Sequence, residues 1–188
     1  MLPVMILDEI FIKKALENAK KHNVKLKIFE LDWRDLTKEI SEQSFDAVLC
    51  LGNSLTCLFG HENQIAALKQ FYLILKEKGI LIIDERNYQY ILDNREEILK
   101  GNFCYSGKYQ YCGQYVHSRP IEIEDDHIRS ILWDERTNKK AYFVAHPFKR
   151  GELKNLLEAV GFRKILQYSD YRLKYNTKAD FYSYVCQK

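Results

Sequence analysis

Residues 45–54, Phe45-Asp46-Ala47-Val48-Leu49-Cys50-Leu51-Gly52-Asn53-Ser54, and residues 79–88, Gly79-Ile80-Leu81-Ile82-Ile83-Asp84-Glu85-Arg86-Asn87-Tyr88, decide how this chain folds. Each begins as a short apolar run of the kind that forms a buried parallel strand. Each stops abruptly in small or polar residues, Gly52-Asn53-Ser54 in the first and Asp84-Glu85-Arg86-Asn87 in the second. Open α/β sheets bind ligands just beyond the carboxyl ends of their strands. Two such ends joined by a helix bring Asn53, Ser54 and Arg86 around one crevice suited to a small molecule. Arg86 points to a carboxylate on that molecule, because its planar fork matches two oxygens. An ion pair with Asp84 or Glu85 is the alternative use of the same side chain.

Working outward, residues 9–22 read as a helix, with Ile12, Ala15, Leu16 and Ala19 at helical spacing, Asp8 as N-cap and Asn23 as its stop. Residues 25–31 read as a strand that runs into the polar turn Asp32-Trp33-Arg34-Asp35. The spacing of Ile65, Leu68, Phe71, Tyr72 and Leu75 predicts a helix over 63–78 that stops at Gly79, and a further helix is expected over 90–99. From 101 to 147 aromatic and β-branched residues alternate with Arg-Pro, Asp-Asp and Thr-Asn turn signals, which predicts an antiparallel insert rather than more βαβ units. A helix over 149–160 stopping at Gly161 and two strands, 162–168 and 180–186, complete the chain. The reading is α/β in a single domain, 1–188, with the insert at 101–147.

Composition narrows the function classes. The 188 residues suit one core of ordinary size, and 46% hydrophobic with 29% charged residues is a globular balance. A net charge of +3, with lysines scattered among acids, gives no argument for nucleic acid or an anionic membrane. No apolar stretch approaches the roughly 20 residues that span a bilayer, and the start lacks a secretory pattern. Five cysteines without a CxxC pair read as reduced thiols of a cytoplasmic protein. His61, His117 and His127 have no ligand spacing, so no metal site is expected.

The order of these elements resembles the class I S-adenosylmethionine-dependent methyltransferases, and within them the glycine N-methyltransferase and glycine/sarcosine methyltransferase group. The matching stretches are 31–34, 45–54, 79–92 and 179–185; the block Asp84-Glu85-Arg86-Asn87-Tyr88-Gln89-Tyr90-Ile91-Leu92 is the most specific. The resemblance implies a Rossmann-like sheet with two C-terminal strands, S-adenosylmethionine as cofactor, and methyl transfer to glycine or sarcosine. One departure stands out. The family's first strand and glycine-rich loop have no counterpart, and the position of its ribose-binding acid falls near Ile6. The chain reads as a relative that begins inside the second strand, N-terminally truncated. A non-catalytic relative that binds an amino acid or a partner subunit is therefore the alternative.

Site residues carry over position by position. Asp32 and Trp33 stand where the family contacts adenine, which needs an acceptor and a flat surface; a turn former and a core aromatic are their bland readings. Leu51, Gly52, Asn53 and Ser54 stand at the family's cofactor-binding strand end, although Gly-Asn-Ser also suits an ordinary turn. Asn53 and Arg86 would bind the amino-acid substrate, with Asn53 aiming the amine and Arg86 holding the carboxylate. Cys57 replaces a histidine that often follows in the family. Tyr105 aligns with a tyrosine near the methyl donor, completing a catalytic set of Asn53, Arg86 and Tyr105. The sequence is compatible with a homo-oligomer and leaves the acceptor open among glycine, sarcosine and dimethylglycine.

Overall fold

The computed structural model describes residues 2–6, 8–102 and 115–188. Its architecture is mixed α/β, with three sheets. Strands β1 (Leu2–Met5) and β2 (Leu26–Phe29) pair in parallel around helix α1 (Glu9–Lys21). Asp8 caps α1 by accepting from the Ile10 and Phe11 amides at 2.9 and 3.0 Å, and Asn23 follows the helix at φ 53°. A 3-10 segment over Trp33–Lys38 leads to β3 (Phe45–Cys50), then α2 (His61–Ile74) and β4 (Leu75–Arg86). Strands β3 and β4 are parallel neighbours, so their carboxyl ends emerge together. Two short helices, α3 (Tyr88–Asp93) and α4 (Arg95–Leu99), follow. An antiparallel sheet of β5 (Val116–Ile123), β6 (Ile128–Asp134) and β7 (Lys140–Ala145) comes next. Helix α5 (Glu152–Val160) leads to β8 (Arg163–Ser169) and β9 (Phe181–Gln187). Strand β9 inserts antiparallel between β4 and β8, giving the order β3-β4-β9-β8.

The core lies on one face of that sheet, where Val48, Cys50, Leu81 and Ile83 pack with Leu68, Phe71 and Ile74 of α2 and Leu153 and Leu157 of α5. A second cluster joins Tyr88, Ile91, Leu92 and Ile98 to Ile123, Ile128 and Ala145. Helices α3 and α4 are thus what the β5–β7 sheet packs upon.

Three expectations need correction. The helix expected to reach Lys78 ends at Ile74, because the amides of Gln43 and Ser44 take its last carbonyls, Leu73 and Ile74, at 2.9 and 2.8 Å. Leu75 keeps its burial but sits in a strand, paired with Phe45. The helix expected over 90–99 breaks at Asn94, whose side-chain amide donates to the Tyr90 carbonyl at 2.7 Å. Finally, the apolar strands are not buried on both faces. Leu49 is 60% exposed and Leu166 50%, and Ile80 is open on the same sheet, since α2 and α5 both lie against the other face.

Candidate functional site

The site is built where β3 and β4 end. Gly52 and Asn53 both take positive φ, 79° and 62°, turning the chain sharply out of β3. That turn aims two successive amides at Asp84, whose buried carboxylate accepts from Gly52 N at 3.1 Å and from Asn53 N at 2.6 Å. The Asn53 carboxamide reaches back across the strands. Its Oδ1 accepts from the Arg86 amide at 2.9 Å, and its Nδ2 donates to the Tyr88 hydroxyl at 2.6 Å. The Asn53 carbonyl accepts from the Thr56 hydroxyl at 2.7 Å, so the start of the outgoing loop is tied to the same residue. Buried and fully engaged, Asn53 fixes the backbone at Arg86. The Arg86 guanidinium lies over the Phe181 ring, 4.3 Å from its centroid.

Beside these strand ends runs a cleft of about 490 Å³. Trp33, Leu51 and Ser54 line it, together with Val4 and Met5 of β1 and the length of β3. Trp33 packs against Phe71 with ring centroids 6.0 Å apart, which leaves it half-buried at the cleft wall. Asp32 caps the 3-10 segment. Its Oδ1 accepts from the Arg34 amide and Nε at 2.8 and 2.9 Å, and its Oδ2 from Arg34 Nη2 at 2.7 Å. Those hydrogen bonds hold the Asp32 carboxyl below the usual carboxylate range, so it is an acceptor at neutral pH. Arg34 in turn donates to Asn63 of α2 at 2.8 Å, anchoring the turn.

Of the residues singled out from sequence, Asn53 and Arg86 meet through a hydrogen bond, and Trp33, Leu51 and Ser54 share one cleft. Gly52 adjoins both groups, and Asp32 precedes Trp33 in its turn. Tyr105 lies outside the described residues. Two members of the cluster escaped sequence reading. Asp84 entered as an ion-pair partner for Arg86, and Tyr88 only as a member of the 84–92 block; Asp84 instead organises the Gly52-Asn53 turn and Tyr88 closes the hydrogen-bonded ring. The signal for Asp84 was its place two residues before Arg86, hence on the same strand face. Glu85 points to the opposite face, where its Oε1 accepts from the Tyr184 hydroxyl at 2.6 Å. Burial pushes that carboxyl up to about 8, reinforced by the nearby Glu152 and Asp84 charges.

No family model matches the chain. It is 38% identical over 176 residues to a glycine/sarcosine N-methyltransferase of Aphanothece halophytica, covering 93% of this chain and 63% of that protein. A second protein of that name, from Halorhodospira halochloris, is 33% identical over 94% of this chain and 63% of its own length. The chain thus spans somewhat less than two thirds of these curated relatives. Among solved structures, an S-adenosylmethionine-dependent methyltransferase from Clostridium acetobutylicum superposes with a TM-score of 0.72 at 16% identity, over 98% of this chain and 74% of that one. The chain has the fold of the S-adenosylmethionine-dependent methyltransferases and is, over most of its length, a homologue of proteins named glycine/sarcosine N-methyltransferase.

Proposed function

We propose that this chain methylates the amino nitrogen of glycine or sarcosine, taking the methyl group from S-adenosylmethionine and leaving S-adenosylhomocysteine. One observation carries the reading: the Asn53–Arg86 hydrogen bond fixes an arginine at the mouth of two parallel strands, next to a cleft with an indole on its wall. Relatives named for glycine and sarcosine methylation match across this region.

The residues present fit the adenine ring of such a cofactor. Trp33 and Leu51 offer flat and apolar surface, the ionised Asp32 accepts from an exocyclic amine, and Gly52 lets backbone approach. For the ribose, Ile6 follows β1 where the resemblance places an acid, and its apolar side chain accepts no hydrogen bond from the hydroxyls. When bound, the cofactor supplies an activated methyl group. The chain supplies proximity and alignment, with little acid–base work. Arg86 grips the substrate carboxylate by a bidentate pair, and Asn53 acts as the positioning residue that holds Arg86 in place. Glu85 is not assigned as the base for the amine, because burial keeps it protonated up to about pH 8 and its Oε1 is taken by the Tyr184 hydroxyl.

A second reading is an amino-acid-binding relative that transfers no methyl group. It is favoured by the separation of β1 and β3, which belong to different sheets yet line the same cleft. Transfer of labelled methyl from S-adenosylmethionine to glycine, sarcosine and dimethylglycine, beside calorimetric titration with glycine, decides between them. The first reading expects N-methylated product from glycine and sarcosine. Glycine binding without product from any acceptor selects the second, and neither binding nor product rejects both. Reduced thiols at Cys50, Cys57 and Cys186 fit a cytoplasmic setting, and no helix among the described residues is long and apolar enough to cross a membrane.

A further inference from the structure

At the far side of the loop that leaves Asn53, three side chains from three elements converge. His61 opens α2, His146 follows β7 directly, and Glu152 opens α5. The Nε2 atoms of His61 and His146 approach the same oxygen, Glu152 Oε1, at 2.5 and 3.2 Å. All three ligand atoms lie within 4.8 Å of one another.

The surroundings hold the group in this arrangement. Glu152 Oε2 accepts from the Lys149 amide at 2.7 Å, which orients the carboxylate and leaves Oε1 to the imidazoles. The His146 amide donates to the Thr56 carbonyl at 2.8 Å, and its ring stands edge-on to Phe148 with centroids 5.0 Å apart. His146 and Glu152 are largely buried, whereas the His61 side chain is 56% exposed and gives entry from solvent. Ligand atoms about 2.0–2.1 Å from a tetrahedral ion stand roughly 3.3 Å apart. The His146–Glu152 separation already matches, and an exposed His61 widens its own contact by a small rotation. Two imidazoles with one carboxylate favour a borderline first-row ion over Mg²⁺ or Ca²⁺, which prefer oxygen-only sets.

We propose that His61, His146 and Glu152 form a binding site for one divalent ion of the zinc class, with its remaining positions taken by water. The ion ties the start of α2 to the β7–α5 junction. Thr56 bonds both to His146 and to the Asn53 carbonyl, so the clamp reaches the loop that leaves the strand end. The proposal does not rest on the methyl-transfer reading.

Thiols also bind these metals, so the test must separate them. Co²⁺ titration of the reduced full chain, followed by absorption, is run on wild type, His61→Ala and Cys57→Ser, with Zn²⁺ calorimetry in parallel. His61 is exposed, so its replacement leaves the core intact. Expected are one equivalent bound without a thiolate charge-transfer band, affinity at least about tenfold weaker in His61→Ala, wild-type affinity in Cys57→Ser, and no competition from Mg²⁺. Absence of saturable binding, or binding that survives His61→Ala and is lost in Cys57→Ser, would overturn the site.

Discussion

Glu85 shows what a single buried group does to the stability of this molecule. Burial raises its pKa from 4.5 to about 8, while the hydrogen bond from the Tyr184 hydroxyl works the other way. Between those values the folded chain holds a proton that the unfolded chain releases. Stability conferred by the neutral acid is therefore complete below about pH 4.5 and falls as pH rises towards 8. A tenfold change in a protonation equilibrium is worth about 1.4 kcal/mol, so the loss is of the order of a few kcal/mol. Glu85→Gln should flatten this slope, and urea unfolding of both proteins at about pH 5 and about pH 9 measures it; parallel profiles would show that Glu85 does not titrate as described. Asp84 matters as a hydrogen-bond acceptor on which its partners depend. Asp84→Ala leaves the Gly52 and Asn53 amides unpaired, and a loss of about 2–4 kcal/mol is expected in the same unfolding experiment. Arg86, Asn53 and Gly52 were legible in the sequence because strand ends carry ligands whatever the details. Asp84 was not, because its role depends on a positive-φ turn that only the folded backbone displays. The His61–Glu152 contact spans 91 residues and leaves no local spacing to read.

At the level of elements, alternation and helical spacing located most strands and helices, and the misses have physical causes. Apolar periodicity continues through Leu75, so nothing local marks Ile74 as the end of α2; the caps come from Gln43 and Ser44, distant in sequence and just before β3. Gly79 shows how tight the first part of β4 is, where its pairing with β3 shifts register. A Cβ there would stand 2.8 Å from the Lys76 carbonyl oxygen and 3.3 Å from that of Asp46, contacts that backbone cannot relieve cheaply. Gly79→Ala is expected to lower stability by about 1–3 kcal/mol, read from the urea midpoint at unchanged slope; a midpoint equal to wild type would show that this part of β4 has room to spare. Apolar residues on both faces of β3 and β4 suggested two covered faces. The structure buries one, because runs such as 80–83 report hydrophobicity without reporting what lies above them.

For the whole molecule, parallel β3 and β4 with an antiparallel β9 between β4 and β8 form a chain that superposes on a methyltransferase structure with a TM-score of 0.72, and the chain covers 63% of the first curated relatives. What the structure adds is the coupling of two regions. Gly52 stands in the chain between Leu51, which lines the cleft walled by Trp33, and Asn53, which binds the Arg86 amide, so the two regions adjoin at one strand end. The most direct measurement is steady-state methyl transfer by wild type and Arg86→Ala with glycine and the methyl donor varied separately. The account expects the KM for glycine to rise by about 30-fold or more, equivalent to ~2 kcal/mol of lost carboxylate binding, with the KM for the donor nearly unchanged. Glycine dependence identical in the two proteins, or no transfer by wild type, would contradict it.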